Sequence, residues 1–352
     1  MYILDFVSQN WVMAVVSFLI TVIGCLVALK VFPKLGLVDR PSKYGLKRRP
    51  IPYYGGVVIY LAFVVGVLIF VPMSKAVLGL LVGGGFIALV GFLDDMFDLS
   101  ALLRLFFQFV GAGILVVAGI GVLSINLPLL GSIDFTGVMI WGIPLLGAAF
   151  TMIWVATILN AMNLLDGIGG LNSGVTFVAA MTLFALSIHP GLHEDPSSQV
   201  GVASIALILA MVALAFLIFD FPKPKILMGD SGSTFLGFAL ATLAIFSGGK
   251  VATAFLVLGI PLLDMVWVIL RRTFVEKKPF WKGDLRHMHH RLLDMGMKER
   301  GVVILYLVIA AIFGSSAVGL VDSGQKLFMV IALVVLMLLL AGALIFIPKK
   351  KA

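Results

Sequence analysis

Long apolar runs follow one another along the chain, separated by short polar connections. A bilayer-spanning helix needs roughly 20 largely apolar residues. The pattern supplies eleven such runs, at about 11–32, 55–72, 76–93, 102–122, 139–159, 173–189, 199–219, 234–248, 251–270, 302–321 and 327–347. Gly and Pro inside the runs do not argue against helix, because membrane helices carry more of both than soluble ones. Leu123 to Gly137 breaks the rhythm: it is too polar to span and reads as a short hairpin. No internal repeat is visible, so an inverted-repeat transporter has no direct support. The pattern therefore predicts an all-α, polytopic integral membrane protein of about 11 transmembrane helices, one transmembrane domain over residues 1–352.

Composition agrees. The chain is 61% hydrophobic and 12% charged, against roughly 25% charged in a soluble domain, so the lipid bilayer is the expected environment. Asp5 is the one charge before Lys30, and no small-residue cleavage site follows the first run. That run reads as a span and not as a removable signal. The single cysteine, Cys25, lies inside it, which excludes an intrachain disulfide or a cysteine metal cage. A net charge of +8 would suggest nucleic acid in a soluble protein. Here it reflects loop bias, and no nucleic-acid partner is expected.

Charge also orients the spans. All but three of the 25 basic residues fall on one set of connections and the C-terminal tail, the exceptions being Lys75, Lys250 and Lys326. The rich side is cytoplasmic by the positive-inside rule. This places the N-terminus outside, the C-terminus inside, and cytoplasmic loops at about 33–54, 94–101, 160–172, 220–233 and 271–301. Asp94, Asp95, Asp98, Asp166, Asp220, Asp230, Asp284, His287, His289 and His290 gather on that side. His189 and His193 fall on the other, in a Pro/Gly/Ser-rich loop, as plain solvated residues.

Polar motifs at a membrane boundary are costly and point to function. Asp94 and Asp95 end an apolar helix, and adjacent carboxylates repel unless a cation or proton neutralises them. Mg²⁺ suits such a pair, because it binds through one or two carboxylates plus phosphate oxygens. Arg104 and Gln108, four residues apart, share a helix face and suit a phosphate, although a snorkelling arginine is the plain alternative. Asn160, Asn163 and Asp166 repeat every third residue ahead of a glycine cluster whose N–H groups can cradle an anion. A capping turn is the plain alternative there. Met228 to Thr234 opens the eighth run, where helix N–H donors favour phosphate and Asp230 favours a metal carried with it. His287, His289 and His290 first suggest zinc. No cysteine accompanies them, and Arg286 and Arg291 flank them, so pyrophosphate binding fits better. Asp264 is the clear ionisable exception inside a run, either structural or paired with Arg271 or Arg272.

In order along the chain, Gly36-Leu-Val-Asp-Arg-Pro, Pro50-Ile-Pro with Gly55-Gly56, Asp94-Asp95, Leu99-Ser with Arg104 and Gln108, Asn160 to Leu171, Met228 to Ser233 and Asp284-x-x-His-x-His-His-Arg291 resemble the polyprenyl-phosphate N-acetylhexosamine-1-phosphate transferase superfamily. The form of the histidine motif is similar to the branch that uses UDP-GlcNAc to start O-antigen, common-antigen or teichoic-acid-type chains. It differs from the three consecutive histidines of the MurNAc-pentapeptide branch. The resemblance implies transfer of GlcNAc-1-phosphate from UDP-GlcNAc to undecaprenyl (polyprenyl) phosphate with release of UMP, at the cytoplasmic face of the bacterial inner membrane. It implies Mg²⁺, or Mn²⁺ in its place, and a homodimer as the assembly to look for.

Carried over by position, Asp94, Asp95 and Asp230 are the catalytic residues, with Asp230 and Asp95 the metal ligands. Arg104, Asn160, Asn163, Asp166, Asp284, His287, His289, His290 and Arg291 are the substrate-binding set. Asp94 orients or deprotonates the acceptor, with a covalent route through it left open. Three departures stand out: Gly169 where the family usually has a second Asp, Lys47 where a His is common, and Arg104 in place of the usual Lys. The alternatives are another donor (UDP-GalNAc or UDP-MurNAc-pentapeptide), a transporter of anionic solutes, and a non-catalytic lipid-phosphate binder.

Overall fold

The computed structural model describes residues 3–41, 48–127, 131–189, 192, 199–247, 251–277, 287–320 and 322–346. Asp284, Lys47 and His193 lie outside them. Each apolar run becomes one helix: α1 (Ile3–Val31), α2 (Gly55–Phe70), α3 (Lys75–Phe97), α4 (Ala101–Val117), α5 (Leu145–Leu165), α6 (Leu171–Ser187), α7 (Val200–Asp220), α8 (Gly229–Phe246), α9 (Val251–Leu270), α11 (Glu299–Gly319) and α12 (Ser323–Phe346). A short α10 (Met288–Asp294) carries the histidines. Six of the long helices, α1, α3, α5, α7, α8 and α11, are long and apolar enough in themselves to cross a membrane. Leu19, Ile23, Leu102, Phe106, Leu338 and Leu339 face outward. So extensive an apolar exterior is foreign to a water-soluble monomer and suits lipid.

The polar break after α4 forms the expected hairpin, β1 (Ser124–Leu127) against β2 (Gly131–Asp134), with Ser124 opposite Asp134. A second small pair, Met139–Ile140 with Ile143–Pro144, turns through Trp141 and Gly142, both at positive φ. This turn takes residues 139–144 out of the run expected to begin at 139, so α5 starts at Leu145 and runs on to Leu165. Asn160 and Asn163 are consequently helical. Likewise α3 continues through Asp94 and Asp95 and stops where Asp98 turns left-handed at φ 52°. Ser100 then caps α4 by accepting from Leu103 N–H.

α8 is the central post, with 89% of its residues buried; α2, α3 and α5 pack around it. Gly229, Ser231, Gly232, Ser233, Gly237, Ala239 and Ala241 keep it slim, which lets neighbouring helices approach closely. α6 and α7 pack together beside α1, and α9 lies against α5, α11 and α12. The start of α8 therefore meets the end of α3, the start of α4 and the end of α5.

Candidate active site

Successive residues on a helix point about 100° apart, so Asp94 and Asp95 face different neighbours. Asp95 faces α8. Its Oδ1 accepts the Tyr53 O–H at 2.9 Å and the Asp230 N–H at 3.0 Å, and its Oδ2 accepts the Ser231 N–H at 3.4 Å. These amides are the unsatisfied donors of the first turn of α8, and a carboxylate there also complements the helix dipole. Gly229 makes the approach possible: it sits at φ +71°, and a Cβ there would lie 2.5 Å from Asp95 Oδ2.

Asp94 faces α4. Leu99 N–H donates to its Oδ1 at 2.7 Å, and Arg104 Nη1 donates to its Oδ2 at 3.0 Å. The same Nη1 lies 3.5 Å from Asp230 Oδ2. Asn163 Nδ2 donates to Asp230 Oδ1 at 2.9 Å and to Ser233 Oγ at 3.0 Å. Four helices thus contribute one group each to a single cluster: Asp94, Arg104, Asn163 and Asp230. One turn deeper, Asn160 and Gln108 pair their amides, with Asn160 Nδ2 donating to Gln108 Oε1 at 2.7 Å.

The first loop closes over this cluster. Arg48 grips Asp39 through both terminal nitrogens, and Asp39 also accepts Ile51 N–H at 2.8 Å. The loop docks on residues 227–228: Leu227 N–H donates to Pro52 O at 2.9 Å, and Gly55 and Gly56 N–H donate to Leu227 O and Met228 O at 2.8 Å. This places Tyr53 on Asp95. Burial, then the charges of Asp95 and Asp230, push the Tyr53 hydroxyl up and keep it a donor. Beneath the loop opens a cavity of about 430 Å³ lined by Arg40, Arg48, Tyr54, Asp94, Arg104 and Asp230 among others.

A second assembly adjoins the cluster. Asp220, the last residue of α7, accepts the Gly170 N–H at 2.8 Å and the Ser173 O–H at 2.9 Å, pinning the loop between α5 and α6. A Cβ at Gly169 would come 2.4 Å from Pro224 Cγ and 2.6 Å from Asp220 O, so this backbone leaves no room for a side chain at 169. Asp166 begins the loop. Burial, then the carboxylates of Asp220, Asp230 and Asp95, push its carboxyl well above the usual range. The histidines of α10 close on the same loop, with His289 Nε2 2.4 Å and His290 Nε2 3.2 Å from where a Cβ of Gly167 would sit. His289 is fully buried, and burial, then its neighbours His290 and His287, lower its imidazole to about 3. Arg291 follows within α10.

Residues 77–248, from α3 through α8, match the family described as glycosyl transferase family 4. Over 347 residues the chain is 30% identical to a Bacillus subtilis (strain 168) protein named "probable undecaprenyl-phosphate N-acetylglucosaminyl 1-phosphate transferase", covering 95% of this chain and 93% of that protein. The chain belongs to glycosyl transferase family 4. Two further relatives are each 30% identical. The decaprenyl-phosphate N-acetylglucosaminephosphotransferase of Mycolicibacterium smegmatis matches 86% of this chain and 80% of its own length. The undecaprenyl-phosphate alpha-N-acetylglucosaminyl 1-phosphate transferase of Escherichia coli K12 matches 86% and 81%.

In this family 4 transferase the donor set suits a hard divalent cation. Asp94 and Asp230 direct one carboxylate oxygen each at the same point, now met by Arg104, and Asp166 adds a third carboxyl nearby. Among the described residues no group of three or more His, Cys, Asp or Glu forms a metal cage. Mg²⁺ takes one or two protein carboxylates and completes its shell with water and substrate phosphate. Asp95 has both oxygens engaged by Tyr53 and the α8 amides, and Asp94 has both engaged by Leu99 N–H and Arg104, so either carboxylate would exchange a partner to join Asp230 on a metal. Three supporting residues carry no motif signal of their own: Tyr53, Asp220 as the loop anchor, and Asp264, whose contacts lie with the histidines. A lone carboxylate in an apolar run was the one available clue to Asp264.

Proposed function

We propose that this chain transfers N-acetylglucosamine-1-phosphate from UDP-GlcNAc to undecaprenyl phosphate, releasing UMP, as a membrane step that starts a cell-envelope glycan. The observation that carries the reading is the cluster of Asp94, Arg104, Asn163 and Asp230 at one end of the bundle, beside an arginine-lined cavity and the histidine-covered loop. The relatives' names supply the donor sugar and the acceptor class. The site lies at the cytoplasmic face of the inner membrane, where the lipid tail stays in the bilayer and its phosphate reaches the cluster.

An acceptor phosphate oxygen attacks the β-phosphorus of the nucleotide sugar. A new phosphorus–oxygen bond forms as the bond to the bridging oxygen breaks, and UMP departs. Catalysis is mainly positioning and charge neutralisation. Arg104 holds the acceptor phosphate beside Asp94, while Asn163 holds Asp230 in place. His287, His289, His290 and Arg291, with Asp166, meet the donor at the 166–170 loop. Asp230, with Asp95 or Asp94 beside it, would hold Mg²⁺, which when bound neutralises the pyrophosphate.

The test uses purified protein in detergent with undecaprenyl phosphate and a panel of UDP-sugars, with and without Mg²⁺. UMP release with UDP-GlcNAc, dependent on both the lipid and the metal, is the expected result. Release with UDP-GalNAc or UDP-MurNAc-pentapeptide alone would keep the chemistry and change the donor. No release from folded protein would favour a transporter or lipid-phosphate binder.

A further inference from the structure

Asp264 stands in α9 six residues before the helix ends, about 9 Å along the axis at 1.5 Å per residue. It is 3% exposed in an otherwise apolar helix, and the chemistry above does not use it. A carboxylate buried in a membrane helix is costly without partners, and its partners point to its use. Here they belong to the histidine motif. Asp264 Oδ1 accepts the N–H of Met288, the first residue of α10, at 3.0 Å. Its Oδ2 lies 3.8 Å from His287 Nδ1 and 3.9 Å from His289 Nδ1. The two rings lie parallel, 6° apart in plane with centroids 5.6 Å apart. The opposite edge of His289 faces the 166–170 loop, where its Nε2 lies 2.4 Å from the Cβ position of Gly167. Among the described residues, Arg271 just past α9 and Tyr306 of α11 also lie in the field of Asp264.

We propose that Asp264 is a positioning residue of the transferase site: it anchors the start of α10 through Met288 N–H and faces the Nδ1 edges of His287 and His289, so that the opposite edge of His289 packs on the 166–170 loop that meets the donor. This rests on the reading of the histidine motif as a donor contact. A neutral imidazole carries one N–H, and a carboxylate on the Nδ1 side, 3.8 and 3.9 Å away and beyond hydrogen-bond reach, favours it there. Nε2 is then left pointing at the loop. The Met288 N–H bond sets the entry of α10, so one residue fixes both the helix and the rotation of its rings.

The test combines histidine-labelled NMR of the detergent-solubilised full chain with UMP-release kinetics, for wild type and Asp264→Asn. The chain has 5 histidines, and His287→Gln and His289→Gln assign the relevant signals. Wild type should show His289 as the Nδ1–H tautomer, and Asp264→Asn, which keeps an acceptor for Met288 N–H, should lose that signature. Its kcat should fall about 10–100-fold, the usual cost of losing a carboxylate behind a ligating histidine, with KM for UDP-GlcNAc within about twofold. An Nε2–H tautomer in the wild type, readable without any variant, overturns the proposal, as does an unchanged kcat in Asp264→Asn. A tautomer change in a protein that turns over no UDP-sugar supports the positioning and overturns the transferase reading instead.

Discussion

Asp95 and Asp230 are neighbours with different tasks. Asp95 satisfies the first amides of α8 and is held by Tyr53, whereas Asp230 turns one oxygen toward Arg104 and Asp94. Their variants should therefore differ in kind. Asp230→Asn keeps the size and the acceptor for Asn163 but removes the charge. It should abolish UMP release while thermal unfolding in detergent stays near that of wild type, and near-normal turnover would remove Asp230 from the metal-holding set. Tyr53→Phe deletes one hydrogen bond to a carboxylate, worth about 1.5–3 kcal/mol, and leaves the backbone donors in place. It should lower kcat about tenfold, since each 1.36 kcal/mol of lost transition-state stabilisation is a factor of ten. Steady-state kinetics showing a wild-type kcat would mean that the two α8 amides hold Asp95 without help.

At the scale of elements, the site depends on where helices end, and those ends are set by tertiary partners. α3 runs through two adjacent carboxylates because Asp95 finds the α8 amides and Asp94 finds Arg104 and Leu99. Run length in the sequence marks the helices well but not these ends: the partners of Asp95 are 42 and 135 residues away in the chain. Local spacing suggested a phosphate contact for Arg104 and Gln108, yet Gln108 is paired with Asn160 across α4 and α5. Residues within compact polar motifs (Asp94, Asn163, Asp230, His289) were legible, whereas the supporting roles of Tyr53, Asp220 and Asp264 depend on partners distant in the chain and were not, although Asp264 stood out as a lone charge in an apolar run. Asp220 shows what such a support does. Asp220→Ala strands the buried Gly170 N–H and Ser173 hydroxyl, each at about 1–3 kcal/mol, and frees the loop that carries Asp166. The variant should melt several degrees lower and raise KM for the nucleotide sugar. Asp220→Asn, which keeps an acceptor, should restore most of both. Loss of stability with no change in KM would make the loop a scaffold alone.

For the whole molecule, the expected orientation ties every polar group of the site to one side of the membrane. α4 starts beside Asp94 and runs for 17 residues, ending just before the β1–β2 hairpin, so the hairpin lies at the opposite end of the bundle. Thr136, past β2, and Lys223, between α7 and α8, are both exposed and report the two ends. Cys25 is the single cysteine and is buried, so it should react little with a charged, membrane-impermeant maleimide. In intact cells Thr136→Cys should label and Lys223→Cys should not; after permeabilisation both should. The physical basis is the loop asymmetry in Lys and Arg, which holds such connections on the cytoplasmic side during insertion. Labelling of Lys223→Cys from outside would invert the topology. It would also put the cluster on the side where a nucleotide sugar made in the cytoplasm is absent, so this one result bears on the orientation and on the proposed donor together.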